Sequence, residues 1–322
     1  MKKILIIRFS SIGDIVLTSP VVRCVKQQIE NSEIHFLTKE NFKSVIEFNP
    51  YIDKRIYFRN RISDIIKQLR QEKYDLIIDL HKSLRSKIIT SALRTKTISF
   101  DKLNYEKWLL VRFKKNKLPS KHIVDRYFEA FSSINIINDN KGLDFYTGDI
   151  LAPVVPFKNY IAFVIGAKHE TKKLPAEKII NIIKLLEENV ILTGGDEDIE
   201  LGEIIRKALP EKVFNACGRY SLIQSALVVK NADGVITHDT GLMHIAAAYK
   251  KNIISVWGNT VPEFGMYPYM PDKENKSVIA EVKNLYCRPC SKIGYPRCPE
   301  KHFRCMYEQD EKLIAEAANK FL

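Results

Sequence analysis

Short apolar runs recur along this chain, each followed by a turn and then by apolar residues at helical spacing. Lys3-Ile4-Leu5-Ile6-Ile7-Arg8 is the first. An apolar run without alternation predicts a parallel strand buried on both faces. Residues 33–37, 54–57 and 74–80 read as further strands, with helices over 42–48 and 63–71. The pattern restarts with strands over 160–165, 190–193, 234–237 and 253–256. A last helix over 308–322 carries Leu313, Ile314, Ala317, Ala318 and Phe321 on one stripe. Strands alternating with helices predict βαβ units and parallel sheets. Residues 138–159 are rich in Asn, Asp and Gly, and Pro153 and Pro156 break any regular element there, so they read as a linker. The expectation is an α/β protein of two doubly wound, Rossmann-like domains, 1–150 and 151–322. A length of 322 residues suits two cores.

Open α/β sheets bind ligands at the carboxyl ends of their strands, so the turns there carry the candidate chemistry. After the first strand comes Ser10-Ser11-Ile12-Gly13-Asp14, without the glycine fingerprint of a dinucleotide fold. Asp14 suits either a helix cap or a base. Asp79-Leu80-His81-Lys82-Ser83-Leu84-Arg85-Ser86 closes the strand at 74–80. In the second half, Lys168 to Lys173 form a cationic loop before Pro175, which suits a first helical turn. Gly194-Gly195-Asp196-Glu197-Asp198 offers acidic helix-start chemistry or a metal-binding pair of aspartates. In residues 233–248 a buried strand turns through Asp239-Thr240-Gly241 into a helix of small side chains. Asp and Thr suit an N-cap, Gly lets backbone approach a ligand, and a helix N-terminus attracts anions. His244 lies one turn further on.

Taken together, these segments resemble glycosyltransferase family nine, the inverting heptosyltransferases. The resemblance covers most of the chain, from Lys3 to about Met306. Asp239-Thr240-Gly241-Leu242-Met243-His244 resembles the family's donor-site signature, and Trp257-Gly258-Asn259-Thr260-Val261-Pro262 its Gly-x-Thr-x-Pro loop. Lys172 stands at the lysine that meets the donor pyrophosphate, although Leu174 occupies the place of the usual Trp. Glu197 falls at the residue that bonds the donor ribose, a reading preferred here to metal binding. Tyr220 borders the nucleotide base, where its ring suits stacking. The Ser10 to Asp14 run resembles the motif whose aspartate is the proposed general base. Ser10, Ser11, Gly13, His81, Arg85 and Ser86 fall on the acceptor side.

The resemblance implies a type B glycosyltransferase fold, with two domains facing across a cleft and the terminal helix packing back across the boundary. It implies an ADP-heptose donor, an anionic lipopolysaccharide-type acceptor and no cofactor needed for catalysis. A basic, non-catalytic α/β module for nucleic acid or membrane is the alternative from another class. Asp14 argues against it, because anion binding has no use for a carboxylate there.

Charge sharpens the acceptor side. Residues 1–150 hold 28 Lys and Arg against 17 Asp and Glu, a net of +11 out of +13 for the chain. Residues 82–126 alone hold 13 basic and 3 acidic side chains. Nucleic acid, an anionic membrane and a phosphorylated glycolipid all fit that excess, but none of the common nucleic-acid motifs is present. No nucleic-acid partner is therefore expected. Residues 106–115 mix Trp108 and aliphatic side chains with bases, which suits a helix on a membrane surface or a buried helix with a basic end. No apolar run approaches the ~18 residues of a membrane span. The expected location is cytoplasmic, at the inner face of the inner membrane.

Four of the six cysteines cluster as Cys287, Cys290, Cys298 and Cys305, and the family carries a similar segment. Cytoplasmic thiols stay reduced, which leaves a structural zinc site or free, packed thiols. The second pair departs from the usual zinc spacing.

Overall fold

Strand β1 (Lys2–Ile7) lies in the middle of a five-stranded sheet because Ile4 to Ile7 are all fully buried. It pairs in parallel with β2 (Ser32–Lys39) on one side and β4 (Leu76–Asp79) on the other. β3 (Lys54–Phe58) and β5 (Thr97–Ser99) complete the order β3-β2-β1-β4-β5. The register puts Ile7 beside Asp79 and Asp79 beside Ser99. The residues that follow them therefore emerge together at the carboxyl edge. Leu5, Ile7, Leu37, Ile56 and Ile77 pack with the helix residues Ile65, Leu69 and Ile89 to form one of this sheet's apolar layers.

The second sheet is also all parallel, in the order β11-β10-β9-β6-β7-β8. Its strands are β6 (Tyr160–Val164), β7 (Asn189–Thr193), β8 (Val213–Asn215), β9 (Gly234–His238), β10 (Ile253–Trp257) and β11 (Ser277–Glu281). β6, β9 and β10 are buried along their whole length.

The computed structural model describes residues 2–59, 61–272 and 276–321. The chain divides into two compact units. The first runs to Lys102 and takes in Lys121–Gly148; the second is Leu103–Ser120 together with the chain from Asp149 onward. The basic stretch 82–126 is thus shared between the two units. Arg23 explains why the first unit keeps the chain so far. It is buried, pairs with Asp144, and donates to Asp139 at 2.8 Å. Those bonds anchor residues that read from sequence as linker. Leu151 and Val154, beyond Gly148, stand exposed.

Most predicted elements recur within a residue or two, and the differences have physical reasons. The helix expected over 42–48 is a 3-10 turn, Glu40–Phe42, running into Lys43–Ile46. The last helix is Glu311–Asn319, begun by Asp310, whose carboxylate accepts the Leu313 N–H at 3.0 Å. Ile314, Ala315 and Ala318 form its buried face while Leu313 points outward, so the stripe is narrower than expected. This helix packs on Ala176–Leu185 and on β9, β10 and β11 of its own unit. Among the described residues no helix is long and apolar enough to cross a membrane.

Candidate active site

In the second unit the site forms where β9 ends. His238 is its last residue, and the helix Gly241–Ala248 begins three residues later. Thr240 occupies the N-cap position with extended backbone, but its side chain makes no capping bond. Its hydroxyl lies 3.4 Å from that of Thr237 instead. Asp239 does not cap either. Its Oδ2 accepts from Lys172 Nζ at 2.5 Å and from Thr260 Oγ1 at 2.9 Å. The first-turn amides of this helix are therefore left without a side-chain cap, which is the condition for binding an anion there. Three sequence motifs meet at one carboxylate: the cationic loop, the Asp-Thr-Gly turn and the Gly-Asn-Thr loop. Among the residues expected at the donor, Asp239, Thr240, Gly241 and Lys172 are half-buried, whereas His244 is only 2% exposed.

Several residues not singled out from sequence hold this arrangement. His238 Nε2 accepts the Leu174 N–H at 3.0 Å, tying the loop before Pro175 to β9. Burial first, and then the Lys173 and Lys172 cations, push the His238 imidazole down to about 3, so it stays neutral. Arg288 donates to the Gly258 carbonyl at 2.6 Å and the Thr260 carbonyl at 3.0 Å, while Glu281 at 2.7 Å balances its charge. A lone arginine beyond the motif gives no sequence signal for such a role.

The acidic run divides its work. Asp198 is 1% exposed, pairs with Lys173 at 2.8 Å and accepts the Gly195 N–H at 2.9 Å. Asp198 is thus engaged in holding two loops together. Glu197 is exposed and folds over Gly195, where an added Cβ would lie 2.5 Å from Glu197 Oε2. Tyr220 is half-buried, its hydroxyl donating to the Val154 carbonyl at 3.3 Å.

The first unit presents a second cluster where β1 and β4 end. Asp14 lies in the first turn of the helix Ile12–Val16. Its Oδ2 accepts both the Ser11 N–H at 3.0 Å and the Ser11 hydroxyl at 2.8 Å, and its Oδ1 pairs with Arg8. The capping geometry is real, and the carboxylate is also half of a largely buried ion pair. Arg8 further donates to the carbonyls of Ser10 and Leu80, so one guanidinium joins both strand ends. Asp79 is 3% exposed and accepts from the N–H groups of His81 and Lys82 at 2.9 and 2.8 Å. The His81 ring sits 4.6 Å from that of Phe9. Burial pushes its pKa down to about 3, with the Arg8 and Lys102 cations adding to the effect.

Of the other expected acceptor residues, Gly13 is buried, and Ser86 is buried with its hydroxyl accepting the Ser83 N–H at 2.8 Å. Ser86 thus closes the start of the helix Leu84–Leu93. Arg85 is exposed and lines a 710 Å³ cavity with Lys39, Glu40, Asn41, Phe58, Arg59 and Ile62.

The helix Asn104–Phe113 belongs to the second unit. Leu110 faces inward with Val261 and Phe264. Tyr105, Trp108 and Phe113 stay exposed, Trp108 stacked on Tyr105 at 6.0 Å and edge-on to Phe113 at 5.1 Å. The helix thus buries Leu110 and leaves its aromatic side chains exposed. Lys114 Nζ donates to the carbonyls of Cys287 and Pro289 at 3.1 and 2.8 Å. The six cysteines are free. Cys287 Sγ lies 3.7 Å from His302 Nε2, and burial pushes the thiols of Cys290 and Cys305 up to about 12. Among the described residues no three His, Cys, Asp or Glu side chains gather closely enough to hold a metal ion.

Residues 62–297 match the family model described as glycosyltransferase family 9 (heptosyltransferase). The chain belongs to glycosyltransferase family 9. It is therefore a glycosyltransferase. It is 26% identical over 293 residues to lipopolysaccharide heptosyltransferase 1 of Campylobacter coli, covering 80% of this chain and 84% of that protein. To lipooligosaccharide heptosyltransferase 2 of Campylobacter jejuni it is 25% identical, over 96% of this chain and 95% of the relative. Among solved structures, a family 9 glycosyltransferase from Veillonella parvula superposes with a TM-score of 0.78 at 21% identity, covering 99% of this chain and 97% of that one. An Escherichia coli heptosyltransferase solved with ADP gives 0.71 at 19% identity, with 99% and 100% covered. The two parallel-sheet α/β domains are the fold of these transferases.

Proposed function

We propose that this glycosyltransferase moves a heptose from ADP-heptose to a hydroxyl of a lipopolysaccharide core acceptor, inverting the anomeric carbon. One observation carries the donor half of the reading. Lys172, Thr260 and an uncapped helix start converge at Asp239, in a chain whose relatives are named heptosyltransferases. An ammonium and free backbone N–H groups suit a pyrophosphate. In this reading Glu197 bonds the ribose and Tyr220 stacks on the adenine.

The acceptor oxygen attacks the anomeric carbon while its proton passes to the Asp14 carboxylate. The bond from that carbon to the β-phosphate oxygen breaks on the opposite face, and ADP leaves with the electron pair. Lys172 and the amides after Thr240 stabilise the charge that develops on the leaving phosphate.

The test is a panel of ADP-, UDP-, GDP- and dTDP-linked sugars with a deacylated lipopolysaccharide core precursor. ADP release that needs both ADP-heptose and the acceptor, with an inverted anomer by NMR, is the expected result. Faster turnover of another nucleotide sugar would replace the donor.

A lipid-borne anionic acceptor calls for contact with an anionic membrane surface. The exposed Tyr105, Trp108 and Phe113 with the neighbouring Arg112, Lys115 and Lys117 suit it. Each basic side chain near such a surface contributes about 1 kcal/mol, and salt screens it. Binding to anionic vesicles should fall steeply from low to high salt, and Trp108→Ala with Lys115→Glu and Lys117→Glu should weaken it at least tenfold. Lys114 is left intact because it holds the 287–289 loop. Vesicle binding indifferent to salt and to these substitutions would remove the membrane contact.

A further inference from the structure

The register of the first sheet brings a third strand end to the Asp14 cluster. Ile7, Asp79 and Ser99 lie side by side on β1, β4 and β5, so Arg8, Leu80 and Phe100 follow in the next row and Lys102 two residues later. The turn carrying Lys102 is pinned from both sides. Lys82 Nζ donates to the Phe100 carbonyl at 2.9 Å, and Arg126 Nη2 donates to the Asp101 carbonyl at 2.6 Å.

A charge inventory of the cluster leaves Lys102 over. Arg8 is answered by Asp14. Asp79 Oδ1 accepts from two backbone N–H groups, and the Lys82 ammonium sits on a carbonyl. Lys102 is half-buried, and among the described residues it has neither a hydrogen bond nor an ion pair. Its amine lies within electrostatic reach of Arg8, Asp14, Asp79 and Lys82, and its pKa is pulled below the ordinary value, first by burial and then by Arg8. Lys39 adds a further positive field at His81. Taking a cation partly out of water without an ion-pair partner is unfavourable, and a turn pinned by two hydrogen bonds that holds one there is complementary to an arriving anion.

We propose that Lys102 is an acceptor-binding residue that pairs with an acid group, carboxylate or phosphate, on the acceptor sugar beside the hydroxyl that attacks. The inference rests on the proposed function, because it takes the Asp14 cluster as the acceptor site. The ammonium pairs with the acid group and so fixes which hydroxyl faces Asp14. Lys102 takes no proton from substrate; it positions the acceptor.

The test compares wild type, Lys102→Met and Lys102→Arg with three deacylated core acceptors: native, carboxyl-amidated and dephosphorylated. Lys102→Met should raise the acceptor KM roughly 10- to 100-fold, the range of a charged hydrogen bond, with the KM for the nucleotide sugar unchanged. Lys102→Arg should recover most of that loss. Wild type should lose a similar factor on whichever acceptor lacks the paired acid group, and Lys102→Met should be indifferent to it. The two altered acceptors thereby tell carboxylate from phosphate. Equilibrium binding of the native acceptor without donor should repeat the pattern. Transfer by Lys102→Met with an unchanged acceptor KM would overturn this inference alone. A wild type that neither binds nor uses the native acceptor would overturn the proposed function, and the inference with it.

Discussion

Asp14→Asn is expected to lower turnover by ~10² to 10⁴-fold, the usual range for a general base, while ADP affinity stays as in the wild type. The carboxylate has two bonds to Ser11 and an ion pair with Arg8, so a structural role must be separated from a chemical one. Asparagine makes that separation. Its carbonyl oxygen still accepts from Ser11, so a helix cap survives the substitution and a proton acceptor does not. The cost to folding comes from Arg8, which is 8% exposed and loses its anionic partner. Removing one member of a buried pair costs about 3–5 kcal/mol. The carbonyls of Ser10 and Leu80 still receive the guanidinium, which limits the damage. Turnover is therefore read beside a melting curve and an ADP titration. Ser11→Ala is the companion variant. It removes one bond to the carboxylate and leaves the base, so it should cost far less. A folded Asp14→Asn protein with near-normal turnover would leave this side chain a cap.

Apart from the edge strand β3, the strands that the sequence pattern reveals lie inside their sheets, with a neighbour on each side. β1, β6, β9 and β10 read plainly because each carries a run of consecutive apolar, buried residues. The three strands that the pattern missed, β5, β8 and β11, are all edge strands. β5 and β8 have three residues each, and β11 alternates exposure without a clear apolar face. An edge strand is held by its neighbour's backbone, which leaves little trace in side-chain pattern. The helix Asn104–Phe113 carries a different lesson. Its apolar positions predicted a helix, but nothing in them told which unit would claim Leu110.

The candidate site was legible wherever a turn closes a buried strand, because the chemistry of such turns repeats. Asp239 was found that way, although for the wrong immediate role. It read as a cap and serves as the junction between Lys172 and Thr260, residues 67 and 21 positions away. Arg8 read only as the end of a strand, yet it links Asp14 to the Leu80 carbonyl 72 residues on. Pairings at that separation depend on strand order, and a single sequence carries no record of strand order. Ser86 shows a different case. A serine in a motif resembling an acceptor segment is buried and bonded within its own first turn.

Lys172→Ala is expected to weaken ADP binding by roughly 10- to 100-fold, since a hydrogen bond to a charged group contributes ~1.5–3 kcal/mol. Thermal protection by ADP should fall with it. A ligand at a hundred times its dissociation constant stabilises by ~2.7 kcal/mol, and a hundredfold weaker site at the same concentration retains only about 0.4 kcal/mol. Asp239→Ala should weaken ADP less, because two effects oppose each other. The lysine loses the partner that holds it at 2.5 Å, and Thr260 loses its acceptor, so the donors are less well placed. At the same time a negative charge disappears beside the incoming pyrophosphate, which favours binding. The two variants share one contact, so their effects should not add. The double variant should bind ADP about as weakly as Lys172→Ala alone. Calorimetric titration of the three variants with ADP measures this directly. Additive losses would mean that Asp239 and Lys172 meet the nucleotide independently, and unchanged affinity in Lys172→Ala would move the pyrophosphate away from this turn.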